Sequence, residues 1–310
     1  MPTADIVIVN WNSGSMLREC IQSILDHRDG VGKVVVVDNG SSDNSAQLPQ
    51  HLAAACDIVL ANENLGFAKA CNVGASRCQS PYILFLNPDA RLIENSVAKA
   101  ISFMESSEGQ QYGICGIKLI GKHGNIERHC ANFTDPSTYL GQALGLGGRF
   151  PRVFTPHFMR DFDHTHSRPV DQVIGAFFFV RRSLFNELSG FDERYFVYFE
   201  EVDFALRARK RGAATYYIAD TTAYHYGGGT SENVKAKRLF YSLRSRLQYA
   251  REHFSTPGFL MTAAITLGLE PFTRLAQAGL RGSLADAGNV LHAYVMLAKS
   301  AVAGGQNTSR

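Results

Sequence analysis

The first hundred residues alternate two hydrophobic periods. Ile6-Val7-Ile8-Val9 and Val34-Val35-Val36-Val37 are short, β-branched and wholly apolar, the pattern of strands covered on both faces. Between them Met16, Cys20, Ile21, Ile24 and Leu25 recur at helical spacing within Ser15–Asp26. Ile58–Leu60 and Tyr82–Leu86 read as two more strands, and Gly66–Ser76 and Ile93–Met104 as helices. Strands alternating with helices predict right-handed βαβ units in a mostly parallel sheet flanked by helices, a Rossmann-like α/β fold.

Residues 110–170 carry scattered Gly, His and Pro and predict only an insertion or mobile loop on the acceptor side. Regular patterning returns at Val173–Val180, followed by a loop over Gly190–Tyr198 and a helix over Glu200–Arg211. Residues 234–303 predict helices broken near Pro257-Gly258 and Gly279–Gly282, a helical C-terminal extension. The expected division is 1–231, with a nucleotide-binding half 1–105 and an acceptor or catalytic half 106–231, then a helical region 232–310.

In an open α/β sheet, ligands bind outside the carboxyl ends of the strands. The segments at those ends are Asn10-Trp11-Asn12-Ser13, Asp38-Asn39-Gly40-Ser41-Ser42-Asp43, Asn62-Glu63-Asn64-Leu65-Gly66 and Asn87-Pro88-Asp89. One such loop is ordinary turn chemistry; four at one edge make a site. Asp38 can accept from a nucleobase imide or a ribose hydroxyl, or merely start an Asx-turn. Asn62, Asn64 and Gly66 suit a base and ribose pocket in the same way. Asp89 offers hard oxygen to magnesium or manganese, whose charge a diphosphate leaving group needs; a plain Asx-Pro turn is the alternative. In Phe199-Glu200-Glu201-Val202-Asp203, paired acids among aromatics suit a general base with a raised pKa, or else favourable charge at a helix start. Glu200 and Asp203 share a helix face and Glu201 points elsewhere, so the acids divide into two jobs. His225 precedes Gly227-Gly228-Gly229, a ligand and a flexible loop able to close over phosphates, with Lys235, Lys237 and Arg238 following.

Composition narrows the setting. The chain has 310 residues, 45% of them hydrophobic, enough for one large domain with an appendage. Its six cysteines include no CxxC pair, so they read as reduced, buried thiols and not as a zinc site. No basic segment precedes Ile6, so a cleaved secretory signal is not expected and the location is cytoplasmic. The net charge of +3 hides an asymmetry: residues 1–208 hold 18 Lys and Arg against 23 Asp and Glu, and residues 209–310 hold 13 against 5. The basic third suggests membrane phospholipid or a phosphorylated acceptor nearby, or an ordinary solvated face; no nucleic-acid partner is expected. Gly258–Leu269 is apolar for about twelve residues, too short to span a bilayer. It suits the inner membrane surface, a buried core helix or a homodimer contact.

Together these residues resemble glycosyltransferase family 2, with the GT-A fold, and in particular its bacterial rhamnosyltransferase-type members. The likeness runs through Ile8-Val9-Asn10-Trp11-Asn12, Val37–Asp43, Asn62-Glu63-Asn64-Leu65-Gly66-Phe67-Ala68, Leu86-Asn87-Pro88-Asp89, Gly190-Phe191-Asp192-Glu193 with Phe199–Asp203, and His225 with its glycines. That covers residues 5–231. It implies an inverting transfer of a sugar from a nucleotide donor to a hydroxyl of a glycan or lipid-linked acceptor, as in O-antigen and other cell-envelope polysaccharide synthesis. The rhamnosyltransferase likeness favours dTDP-L-rhamnose; UDP-linked hexoses stay open.

Carried over residue by residue, the resemblance puts Val9, Asn10, Asn12, Asp38, Asn39, Asn62, Asn64, Gly66, Phe67, Asn72, Asn87 and Pro88 on the donor. It puts Asp89 and His225 on a divalent Mg2+ or Mn2+, and Gly175, Ala176, Asp192 and Tyr198 on the sugar and acceptor side. Glu201 falls on the catalytic base, with Glu200 as rival. Two positions depart from the family pattern: Asn87 stands for the first Asp of DxD, and Glu201 for the usual Asp. A nucleotidyltransferase would need a basic glycine-rich loop after the first strand, where Asn10-Trp11-Asn12-Ser13-Gly14 stands instead. A catalytically silent nucleotide- or carbohydrate-binding module would not need Asp89, Glu200, Glu201 and His225 together.

Overall fold

The computed structural model describes residues 2–227 and 234–307. Gly228 and Gly229 of the glycine run, and the 231/232 boundary, lie outside the described residues. The chain divides into two compact units.

The first unit comprises Met1–Phe133, Phe158–Phe196 and Glu200–Thr230. Its opening elements are β1 (Ala4–Asn10), α1 (Met16–Asp26), β2 (Val31–Asp38), α2 (Gln50–Ala53), β3 (Asp57–Leu60), α3 (Phe67–Ala75) and β4 (Tyr82–Leu86). β1 pairs in parallel with both β2 and β4, and β2 with β3. Val7, Val9, Val35 and Val37 pack on one side with Ala70 and Cys71 of α3. Ile6, Ile8, Val34 and Val36 pack on the other with Leu17, Ile21 and Ile24 of α1. A pleated strand covered on both faces favours apolar side chains, which explains the runs Ile6–Val9 and Val34–Val37; Asp5, just ahead of the first, is buried but accepts from Lys33 N, Gln79 N and Ser80 N.

The sheet continues through β5 (Ala90–Leu92), β6 (Tyr112–Ile120), β8 (Arg168–Val170), β10 (Phe177–Arg181) and β11 (Ala214–His225), with α4 (Ser96–Glu105), α6 (Arg182–Glu187) and α7 (Glu200–Lys210) between them. The strand order is β3-β2-β1-β4-β10-β6-β11-β5, with β8 also on β11. β10 runs antiparallel to β4 and to β6, and β6 parallel to β11. The sheet is therefore mixed: β5, β8 and β10 oppose the other six strands. β7 (Cys130–Ala131) and β9 (Gln172–Val173) form a separate ladder.

The stretch 110–170 is thus not a single irregular insertion. It supplies β6, a buried strand of the main sheet, as well as β7 and β8. The apolar run Val173–Val180 is also not one strand: Ile174-Gly175-Ala176 interrupts it between β9 and β10.

The second unit comprises Thr134–His157, Val197–Phe199 and Ser231–Arg310. It holds α5 (Pro136–Leu144), α8 (Lys235–His253), α9 (Thr256–Ala264), a π-helical turn (Ile265–Leu269), α10 (Glu270–Leu280) and α11 (Leu284–Asn307). Asp135 caps α5 by accepting from Thr138 N at 2.9 Å. The predicted breaks appear as Ser255 capping α9 and as the turn at Gly282, where φ is +63°.

Candidate active site

The parallel strands β1, β2, β4 and β11 end at one edge, and candidate residues stand at or just beyond their last positions. At β1, Asn10 is fully buried. Its amide donates to Asp38 Oδ1 at 2.8 Å, Ser45 Oγ at 2.9 Å and Ser41 Oγ at 3.1 Å, and Ser13 Oγ donates back to its carbonyl oxygen. That amide is spent on aiming the Asp38 carboxylate, whose Oδ2 accepts from Ser41 N at 3.3 Å. Asn12 sits in the left-handed region, φ +50°, a conformation Asn tolerates. Its Oδ1 accepts from Ser42 N at 2.7 Å and Asp43 N at 3.2 Å. Asn39 donates to Asn64 Oδ1 at 3.1 Å and accepts from Leu65 N at 2.8 Å, and Asn64 accepts from Gly66 N at 3.0 Å. Asn62 is left-handed like Asn12, at φ +61°. These side chains knit three strand-end loops into one rim.

Gly66 opens α3 at φ +84°, and a Cβ there would stand 2.5 Å from the Phe196 carbonyl oxygen. The next residue closes the contact, Phe67 N donating to that oxygen at 2.5 Å. Asn72, further along α3, binds Phe191 on both sides: its Nδ2 donates to the carbonyl at 2.8 Å and its Oδ1 accepts from the amide at 2.9 Å. The same Nδ2 reaches Glu193 at 3.1 Å. Asn72 therefore ties α3 to the loop leading to the acids, a positioning task.

At β4, Asn87 N donates to Ala176 O at 3.1 Å, which brings Asn87-Pro88-Asp89 beside Gly175-Ala176. A Cβ on Gly175 would touch only the Phe67 ring, at 3.8 Å. β11 then returns along β5 with His225 opposite Ala90, so His225 Nε2 lies 3.4 Å from Asp89 Oδ1. Its Nδ1 lies 2.6 Å from Glu127 Oε2. Burial opposes charge on this ring, but the hydrogen bonds and charges of Asp89 and Glu127 overcome it and lift the pKa to about 9.

Nothing in the sequence singled out Glu127. A turn after β6 delivers it: Gly121 N bonds Asn125 O at 2.9 Å and Glu127 N bonds Leu119 O at 2.8 Å. β6 pairs with β11, Ile120 beside Tyr224, which places Glu127 next to His225.

Asp89 and His225 present one carboxylate oxygen and one ring nitrogen to each other. Glu127 stands on the far side of the ring, so the described residues form no converging cluster of three metal-ligating side chains. The pair suits a hard divalent ion only if ligand oxygens complete its shell.

Glu200 and Glu201 open α7. Each has a buried Oε2 without a hydrogen-bond partner among the described residues. Burial, then the charge of Glu201, holds Glu200 well above the ordinary carboxylate range; burial pushes Glu201 up to about 7. Both charges act on the buried thiol of Cys71, which places α3 beside the pair. Asp203 differs: it binds Arg207 at 2.7 Å, and Arg207 holds the carbonyls of Leu188 and Gly190. Asp192 is likewise engaged, with Arg194; burial raises its pKa but the arginine's bonds outweigh that and lower it.

Tyr198 and Phe199, just before Glu200 in the chain, both have positive φ, +68° and +72°. Such backbone costs about 1–3 kcal/mol per residue and persists only where surroundings enforce it. Within the second unit, Ser245 Oγ donates to Val197 O at 2.9 Å and the Phe199 ring lies 5.4 Å from Tyr249.

A mixed α/β sheet that gathers its polar side chains at the strand ends has the architecture of the GT-A fold. Solved structures show the fold: a mannosyltransferase from Pyrobaculum calidifontis in complex with GDP-Man and Mn2+ aligns over 96% of this chain and 87% of its own, at TM-score 0.57 and 16% identity. GalNAc-T7 with UDP, GalNAc and Mn2+ aligns over 83% and 52%, at TM-score 0.55 and 16% identity. Residues 5–189 match the model of Glycosyl transferase family 2, and the chain belongs to that family. Among its curated relatives are N-acetylglucosaminyl-diphospho-decaprenol L-rhamnosyltransferase of Mycobacterium tuberculosis, 26% identical over 76% of this chain and 79% of its own. Rhamnosyltransferase WbbL of Escherichia coli is 25% identical over 79% and 91%.

Proposed function

We propose that the chain transfers L-rhamnose from dTDP-L-rhamnose, with inversion, to a hydroxyl of a lipid-linked glycan at the inner face of the membrane. The sugar is supported by the two rhamnosyltransferase relatives, and the lipid-linked acceptor by the one that is an N-acetylglucosaminyl-diphospho-decaprenol L-rhamnosyltransferase. The observation that carries the chemistry is the Glu200–Glu201 pair at the start of α7, Glu200 buried and Glu201 half-buried, each with a buried Oε2 that no described residue hydrogen-bonds.

Glu201, pushed up to about 7, takes the acceptor's proton while the hydroxyl attacks the anomeric carbon from the face opposite the leaving diphosphate. Glu200 stays protonated beside it, so a second negative charge does not oppose the first. Asp38, aimed by Asn10, takes the nucleobase, and the rim of Asn39, Asn62, Asn64 and Gly66 holds the nucleoside. Asp89 and His225 Nε2 are the residues that would hold Mg2+ or Mn2+, and Glu127, bonded to the ring's Nδ1, would keep Nε2 free for it. When bound, the ion stabilises the departing diphosphate.

A donor-hydrolysis assay over a panel of nucleotide sugars tests this reading. Turnover is expected with dTDP-L-rhamnose and to vanish in Glu201→Gln with donor binding retained. Preference for a UDP-hexose would replace the sugar; no hydrolysis of any donor would overturn the reading.

A further inference from the structure

In the second unit, α9 and α10 are built inside out. Thr262, Thr266 and Glu270 lie four residues apart and are 0%, 0% and 3% exposed. Glu270 pairs with buried Arg246 and with Arg274, and Thr262 Oγ1 donates to Gly258 O at 2.9 Å. The polar stripe is therefore turned inward and hydrogen-bonded. The opposite face shows Leu260, Leu267 and Phe272 to solvent, Phe272 at 71%. No charged residue other than Glu270 and Arg274 occurs between residues 256 and 280. A surface helix facing water has the reverse arrangement. The turn after α10 carries Leu280 and Leu284, each 90% exposed, either side of Arg281-Gly282-Ser283.

We infer that this outward face, with the Leu280–Leu284 turn, docks on an anionic lipid bilayer. No described helix is long and apolar enough to cross a membrane, so the contact is interfacial. Charge complementarity selects the occupant. Residues 234–301 hold nine Lys and Arg against three Asp and Glu. Setting aside Glu270 with Arg246 and Arg274, and Asp286 with Lys235, leaves six cations against Glu252. An anionic headgroup layer attracts that surface, whereas a second copy brings the same positive charge. The inference deepens the proposed lipid-borne acceptor and rests on it for its purpose. Vesicle binding is read without acceptor, so either idea can fail alone.

The test is flotation of the full chain with phosphatidylglycerol-containing vesicles and with pure phosphatidylcholine vesicles. The wild-type chain is expected to float with the anionic vesicles and to be released by high salt. The pairs Leu267→Asp with Phe272→Asp, and Leu280→Asp with Leu284→Asp, should each lower partitioning about tenfold or more, with donor hydrolysis and thermal melting unchanged. If the first pair fails to fold, the second decides, since its leucines are almost fully exposed. A wild-type chain that stays off anionic vesicles, or variants that bind like it, would overturn the inference. So would equal partitioning onto phosphatidylcholine. So would light scattering showing a dimer that the variants split, without vesicle binding.

Discussion

Glu127 holds His225 from behind. Its Oε2 lies 2.6 Å from the ring's Nδ1 and leaves Nε2 facing Asp89 at 3.4 Å. A carboxylate behind an imidazole fixes the ring's orientation and would keep the Nδ1 proton in place when a cation displaces the one on Nε2, the arrangement that tunes metal-binding histidines. Glu127→Ala is expected to lower Mn2+ affinity and kcat/KM by roughly 10–100-fold, and Glu127→Gln, which keeps a hydrogen-bonding group, by less. Mn2+ titration followed by electron paramagnetic resonance separates this from a general structural defect. Unchanged Mn2+ affinity in Glu127→Ala would remove the residue from the site.

The acid pair sets a pH dependence. A base must be ionised to accept a proton, and burial pushes Glu201 up to about 7. Activity should therefore rise with pH through about 7 and fall roughly tenfold per unit below it. Because Glu200 lies beside Glu201, the inflection belongs to the pair. The measurement is kcat/KM against pH with saturating metal; a flat profile between pH 5.5 and 8 would exclude Glu201 as the base.

The same burial works against stability. Both folded-state values are raised, so the pair costs nothing below the ordinary carboxylate pKa, where folded and unfolded forms are both protonated. As pH rises from there through about 7, the unfolded chain ionises freely and the folded chain does not, and stability is lost. Glu201→Gln should accordingly melt higher than wild type at pH 7.5, by roughly 2–3 kcal/mol of stability. The difference should shrink toward zero near pH 4.5. Calorimetry at the two pH values checks it; a variant less stable at pH 7.5 would show that the carboxylate is compensated.

What could be read in advance follows from periodicity. β1, β2 and β4 each carry an apolar run covered on both faces, Ile6–Val9, Val34–Val37 and Tyr82–Leu86, whose end is marked by the next polar residue, Asn10, Asp38 or Asn87. β6 is as buried, but Gly113 and Gly116 break its pattern. A Cβ on Gly116 would stand 2.8 Å from Val173 Cγ1, so the glycine is there for packing and carries no strand signal. Glu127 was illegible for a related reason. Its role depends on the β6–β11 pairing, a contact between residues about a hundred positions apart that no local pattern encodes. The asparagines of the rim were legible as a group and not as individuals. The pattern puts Asn10 at the edge and the resemblance puts Asn72 on the donor, and only the hydrogen bonds reveal that their amides hold protein groups.

Gly66 gives the sharpest test of how the rim and the acids are joined. It combines a backbone that essentially only glycine adopts, φ +84° with ψ 163°, with a Cβ position 2.5 Å from the carbonyl oxygen of Phe196. Gly212 has nearly the same φ, +82°, but nothing within 4 Å of its Cβ position. Alanine at Gly212 should therefore meet only the left-handed strain, about 1 kcal/mol. Alanine at Gly66 adds a clash with main chain that cannot rotate away and pushes apart the Phe67 N–Phe196 O hydrogen bond. The displaced segment leads directly into Glu200 and Glu201, and the start of α3 adjoins the rim proposed to hold the donor. Gly66→Ala is expected to raise the donor KM and lower kcat by about tenfold or more, with a stability loss above that of Gly212→Ala. Equal melting temperatures and equal kinetics for the two variants would show that the junction of α3 with residue 196 is not under steric control.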